Sequence, residues 1–185
     1  PYYSRMLRRG FLRFVKEKYR TREAVAKAWG GNWVSGDQWD EGELATMVPF
    51  QWGADGPTHE FAGQDQRCGD TIAYLEHLQR AYYRRREREL REIGFQAVTV
   101  TTAWTGVGSS HLANLYCDSV AGMIDRHSYC GGGDGGHRIV EGKVSTMTHL
   151  EQPGRGLFSI GFSQVAGKPF GVSEWSMSPP APYKL

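Results

Sequence analysis

From Tyr2 to about Tyr19 the apolar residues Leu7, Phe11, Phe14 and Val15 recur at helical spacing, while Arg8, Arg9, Arg13, Lys16 and Glu17 fill the other positions. That pattern predicts an amphipathic helix with one apolar stripe. Thr21 is placed to cap a second helical piece, "REAVAKAWG", which ends on Trp29 with Gly30 as its stop. Between Gly31 and Gly69 tryptophans, glycines, Pro49 and Pro57 follow no period, which predicts a long loop with short pieces of structure. A loop of that length inside a domain is expected to carry function, such as one wall of a cleft. Asp70 to Ile93 holds the strongest helical stripe, through Ile72, Leu75, Leu78, Tyr82, Leu90 and Ile93, and Gly94 ends it. "FQAVTVTT", Phe95 to Thr102, reads as a strand: β-branched and without charge.

The second half is shorter in its elements. A helix is expected over Ser110 to Tyr116, a second strand over Val120 to Arg126 ("VAGMIDR", running straight into "HSY"), and a third over Phe170 to Ser173. After the glycine-rich run Gly131 to Gly136, the segment to Val165 is ambiguous, compatible with a loop followed by a helix. Helices alternating with apolar strands are the rhythm of a parallel α/β architecture, whose strands are buried on both faces. With no internal repeat or low-complexity linker, residues 1–185 read as one domain or a portion of one.

Composition narrows the choice of function. Apolar residues make up 39% and charged residues 23% of the 185, a globular balance, and the formal net charge of +2 gives no reason to expect nucleic acid or an acidic membrane surface as partner. Arg84, Arg85, Arg86 and Arg88 interleave with Glu87, Glu89 and Glu92, so pairs three or four apart are expected to partner on a solvated helix face. No apolar run reaches the length of a membrane span. The opening "PYYSRMLRRG" has arginines but no apolar core segment after them, and so reads as the middle of a protein, leaving the compartment open. Cys68, Cys117 and Cys130 have no metal-type spacing and are expected to be plain thiols. Aromatic residues reach 12%, including six tryptophans, and aromatic-rich clefts often stack on the C–H faces of sugars.

Polar groups fall in a pattern of their own. The first strand runs into Thr101, Thr102 and Trp104, the second into Asp125, His127 and Tyr129, and the third into Glu174 and Trp175. In parallel α/β folds the carboxyl ends of the strands carry the site. Taken singly, each residue has a plainer reading: Glu174 as a solvated carboxylate, His127 as a core histidine bonded to backbone, Tyr129 as a structural hydroxyl, and Trp104 and Trp175 as a cover over the sheet end. Asp134 within "GGGDGG" matches no dinucleotide or phosphate-loop glycine spacing and reads as part of a mobile loop. "GFSQVAG" has Val165 where a nucleophile elbow after Ser163 needs glycine, which removes the serine-hydrolase reading.

The segment "FLRFVKEKYRTREAVAKAWGGNW" resembles the helix and loop that follow the acid/base glutamate in clan A glycoside hydrolases, particularly family 42 β-galactosidases and their relatives. There a helix ends in Lys-Tyr-Gly-Thr, followed by Leu-Asn-x-Ala-Trp-Gly. Lys18, Tyr19, Thr21, Ala28, Trp29 and Gly30 match that pattern, whereas Arg20 stands in place of the glycine and Ala26 and Lys27 depart from it. "IDRHSY" resembles the sixth-strand end of the same clan and "KPFGVSEW" its seventh strand, whose terminal glutamate is the nucleophile. The likeness is scattered from Phe11 to Trp175.

This resemblance implies an α/β fold that is a portion of a (β/α)₈ barrel with parallel strands, running from about the fourth helix to the seventh strand. It implies a retaining glycoside hydrolase acting on a β-linked glycoside or polysaccharide. Glu174 would be the nucleophile, His127 and Tyr129 would orient or tune it, and Trp104, Trp175 and Asp125 would contact the sugar. The acid/base glutamate would lie upstream of Pro1, and the remainder of the barrel would come from the same or another chain, so this segment by itself is expected to be inactive. No cofactor and no metal is required. Degradation of polysaccharide would imply secretion or a periplasmic location, and other substrates a cytoplasmic one. Two other classes remain open: a barrel that has lost the acid/base group and binds carbohydrate or serves as a scaffold, and a helical interaction module built on the two long helices.

Overall fold

The computed structural model of the chain describes residues 2–47, 52–53, 56–57, 64–104, 111–131 and 160–178. The glycine-rich run with Asp134, and most of the ambiguous segment before Val165, lie outside the described residues. The chain divides into two units, Pro1–Tyr82 with Gly106–Asn114 and Tyr83–Thr105 with Leu115–Leu185.

In the first unit, helix α1 spans Tyr2–Tyr19 and buries Phe11, Leu12 and Val15, with Leu7 and Phe14 at the margin of the same cluster. Its partners are Val25, Trp29, Leu44 and Tyr74. Each such apolar side chain taken from water contributes roughly 1.5–3 kcal/mol before chain entropy is counted. Helix α2 spans Arg22–Ala28, and the Thr21 hydroxyl accepts the Ala24 N–H at 3.1 Å, as its N-cap position predicts. The chain leaves α2 through Gly30 and Gly31, both left-handed. It enters α2 through Arg20, also left-handed at φ 72°, the only such non-glycine residue among those described. Gly10 is fixed by packing: a Cβ there would strike the Tyr74 hydroxyl, which donates to the Leu7 carbonyl at 3.1 Å.

Helix α3 spans Gln64–Glu92 and so begins well before Asp70. The added turns, "QDQRCG", carry no apolar stripe, and polar contacts account for the early start. Arg67 is wholly buried: it forks onto both Asp37 oxygens at 2.6 and 2.8 Å, donates to the carbonyls of Asn32 (2.6 Å) and Ala45 (2.8 Å), and lies over the Trp29 ring. The planar guanidinium suits this forked recognition, as an ammonium would not. Residues 31–47, which follow no sequence period, are thereby ordered around one buried arginine. Beyond them lies a two-residue antiparallel pair, β1 (Trp52–Gly53) with β2 (Gly56–Pro57).

The second unit holds the end of α3. Two of the four arginines named above pair as the spacing predicts, Arg85 with Glu89 at 2.8 Å and Arg86 with Glu89 at 2.7 Å, and Arg91 pairs with Glu87 at 2.6 Å. Helix α4 spans His111–Asp118, close to its expected place. Strand β3 spans Ile124–Gly131 and β4 spans Phe170–Ser178, and the two pair in parallel. Both differ from expectation in the same way. Residues 120–123 turn out of α4 rather than opening the strand, and both strands continue through the polar residues that seemed to end them. An apolar run marks where a strand is buried, not where its hydrogen bonding stops.

The expected strand at 95–102 does not form a regular strand. It nonetheless follows β3: Met123 N–H donates to the Thr99 carbonyl at 3.2 Å, and His127 N–H donates to that of Ala103 at 3.3 Å. The offset is the same in both bonds, which is the spacing of a parallel neighbour. On the other edge of β3, Ile124 N–H donates to the Pro169 carbonyl at 3.0 Å, at the start of β4. β3 therefore runs between the 99–103 segment and β4.

Candidate functional site

Because side chains alternate along a strand, Asp125 and His127 share one face of β3, while Ile124, Arg126 and Ser128 share the other. The second set is buried throughout. Arg126, with no exposed surface, pairs with Asp118 at the end of α4 (2.9 Å) and donates to the carbonyls of Thr102 (3.2 Å) and Asp125 (2.7 Å). The Thr101 hydroxyl donates to the other Asp118 oxygen at 2.8 Å. One buried ion pair thus ties α4, the 99–103 segment and β3 together, and the helix-facing side of the sheet is closed by it.

The opposite face carries the candidate chemistry. His127 Nδ1 lies 3.4 Å from Glu174 Oε2, one strand away, and the contact becomes an ion pair when the imidazole is protonated. Trp104, at the end of the 99–103 segment, has its ring 6.1 Å from the His127 ring, centroid to centroid. Glu174 keeps 55% of its side chain in solvent and His127 keeps 19%, so the histidine forms the wall and the carboxylate projects from it. Trp104 is 75% exposed, a large apolar surface beside the histidine.

Of the residues singled out in the sequence, Trp104, His127 and Glu174 are brought together. Trp175 follows Glu174 on β4 and pairs in register with Ser128, so it belongs to the face opposite Glu174 and His127 and, against expectation, does not line the same side of the sheet. Tyr129 lies on β3 opposite Ser176, and its side chain is outside the described part of the structure. Asp125 is buried, and both of its oxygens are engaged by Ser173, from the N–H at 2.9 Å and from the hydroxyl at 2.6 Å. Its place is to hold β4, and its burial leaves little of it within a sugar's reach.

Sequence reasoning missed Asp118, Arg126 and Ser173. A faint signal existed for Arg126, since an arginine on the parity of Ile124 within a strand demands a buried acceptor. The residues matching the Tyr-x-Thr and Ala-Trp-Gly pattern take a structural role in the first unit. Lys18 Nζ (2.5 Å), Tyr19 Oη (2.8 Å), Trp29 Nε1 (2.7 Å) and Gln66 Nε2 (3.1 Å) all donate to the buried Asp70 carboxylate. Burial and the bond to Asp70 push the Tyr19 phenol above its ordinary pKa. Burial works against the charge on Lys18, but the hydrogen bond and charge of Asp70 outweigh it and raise that pKa as well.

Among the described residues no group of three or more His, Cys, Asp or Glu is placed to hold a metal ion, and no helix is long and apolar enough to cross a membrane. Cys68 and Cys117 are both buried. No protein family, no curated protein and no solved structure matches this chain.

Proposed function

We propose that this chain is a portion of a (β/α)₈ barrel of a retaining glycoside hydrolase, with Glu174 as nucleophile. The observation that carries the reading is the Glu174 carboxylate standing beside His127, whose ring lies against Trp104, on parallel strands whose other face is closed by a helix. Supporting it are the parallel course of the 99–103 segment along β3 and the exposed indole of Trp104 beside His127.

In this reading Glu174 attacks the anomeric carbon of a β-linked glycoside, forming a glycosyl ester as the bond to the leaving oxygen breaks. A second carboxyl group protonates that oxygen and then takes a proton from the water that releases the sugar. His127 orients the Glu174 carboxylate, and Trp104, whose ring lies beside that of His127, offers a stacking face to the sugar ring. The remainder of the barrel comes from the same or another chain, and no cofactor takes part. A second reading, a barrel that binds carbohydrate without cleaving it, is favoured by the exposed Trp104 indole, which needs no nucleophile to hold a sugar.

Azide separates the two. In the complete gene product, Glu174→Gly should lose several orders of magnitude in hydrolysis of an activated aryl β-glycoside. Added azide should restore turnover and yield the glycosyl azide of inverted configuration, because the small anion enters the space of the missing carboxylate. Sugar binding with no hydrolysis by the unaltered protein supports the second reading. Undiminished hydrolysis by Glu174→Gly removes the first.

A further inference from the structure

The pairing of β3 with β4 contains one irregularity. Ile124 pairs with Phe170, Asp125 with Gly171 and Arg126 with Val172, but His127 then pairs with Glu174. Ser173 is left without a partner in the register, a one-residue bulge. Its consequence follows from the two-residue period of a strand. In an unbroken parallel ladder His127 would face Ser173, and Glu174 would fall opposite Ser128, on the parity of Ile124 and Arg126. That is the buried, helix-facing side of the sheet. The extra residue moves Glu174 to the parity of His127 instead.

A bulge costs a ladder hydrogen bond, so the unpaired N–H needs another acceptor. Asp125 supplies it: one oxygen accepts the Ser173 N–H at 2.9 Å and the other the Ser173 hydroxyl at 2.6 Å. The carboxylate is buried, on the same face of β3 as His127 and two residues before it.

We propose that Asp125 and Ser173 are positioning residues, whose paired hydrogen bonds build the bulge that sets Glu174 beside His127. Asp125 touches no substrate in this role; it acts through the backbone of β4. The kinetic half of the proposal rests on Glu174 being the nucleophile, whereas the structural half can be read without any activity.

The test combines both. The carbon–proton cross-peaks of the His127 imidazole, assigned with His127→Gln, are recorded at one pH for the unaltered protein, Glu174→Gln, Asp125→Ala, Asp125→Asn and Ser173→Ala. Asp125→Ala should move the His127 peak to the position found in Glu174→Gln, with His77 and His111 unmoved. Ser173→Ala, which keeps the N–H bond, should move it part of the way. In the complete gene product, Asp125→Ala should lower kcat on an activated aryl β-glycoside by about tenfold to a hundredfold with KM nearly unchanged, and Asp125→Asn should recover part of the loss. A His127 peak that stays in place in folded Asp125→Ala overturns the proposal. Should that variant fail to fold, an unmoved peak in Asp125→Asn overturns it equally. Hydrolysis unaffected by Glu174→Gln overturns the glycosidase reading alone, because the cross-peaks report the bulge independently.

Discussion

Arg20 sits at the junction of α1 and α2 with φ at 72°, where the backbone is left-handed. The Arg20 side chain is exposed, while its N–H donates to the Lys16 carbonyl at 2.9 Å, a bond that any non-proline residue keeps. Arg20→Gly therefore removes strain and little else. A side chain in the left-handed region costs about 1–2 kcal/mol, and glycine's extra freedom in the unfolded chain returns roughly 0.5–1 kcal/mol of that. The net gain is about 0.5–1 kcal/mol, or on the order of 1–4 °C in Tm for a chain of this size. Thermal unfolding followed by tryptophan fluorescence suits the region, since Trp29, Trp33 and Trp39 belong to the same packed unit. Arg20→Ala is the control: it removes the same charge but keeps the Cβ, and should not stabilise. A Tm that is unchanged or lowered in Arg20→Gly, or a gain of equal size in Arg20→Ala, refutes the strain argument.

Two further outcomes follow from buried polar groups. Asp118→Ala leaves the Arg126 guanidinium buried without its counter-charge, and should cost about 3–5 kcal/mol in chemical denaturation; replacing both partners by apolar residues of similar volume, Asp118→Leu with Arg126→Met, should recover much of that loss. A single variant within 1 kcal/mol of the unaltered protein, on the order of a surface substitution, would contradict the burial. The second outcome concerns alkali. Tyr19, Lys18 and Tyr74 all have pKa values raised by folding, Tyr74 through burial. The stability they contribute is fully present below their ordinary values near 10 and is lost as pH rises through the folded ones. Denaturation midpoints should hold up to about pH 10 and fall above it, and Tyr19→Phe should flatten part of that fall.

The helices were legible because they obey a local rule. The stripe through Phe11 and Val15 and the cap at Thr21 concern residues within a few positions of each other, and the structure places them as read. The start of α3 was not legible, because Arg67 is held by Asp37 and by carbonyls distant in the chain, which no periodicity encodes. Strand ends failed for a related reason. The ladder between β3 and β4 runs on through Glu174 and Tyr129, whose polarity reads as a loop when a strand is judged by its apolar residues alone. The candidate site was half visible. His127, Trp104 and Glu174 were picked out by type, but their meeting depends on a bulge at Ser173 that is a property of two strands together. Asp125, read as a sugar contact, turned out to be bonded to that bulge.

The central claim is that Glu174 forms a covalent bond to a sugar. Its most direct test is to treat the complete gene product with activated deoxyfluoro-β-glycosides of the galacto and gluco series, with fluorine beside the anomeric carbon and a dinitrophenolate leaving group. Such a leaving group needs no acid, and the fluorine slows release of the glycosyl ester, so the intermediate accumulates. Digestion and mass spectrometry then locate the label. The account predicts a single deoxyfluoroglycosyl group on the peptide carrying Glu174, absent from Glu174→Gln. A label on another carboxylate, or hydrolysis of the parent glycoside with Glu174 never labelled, would contradict it.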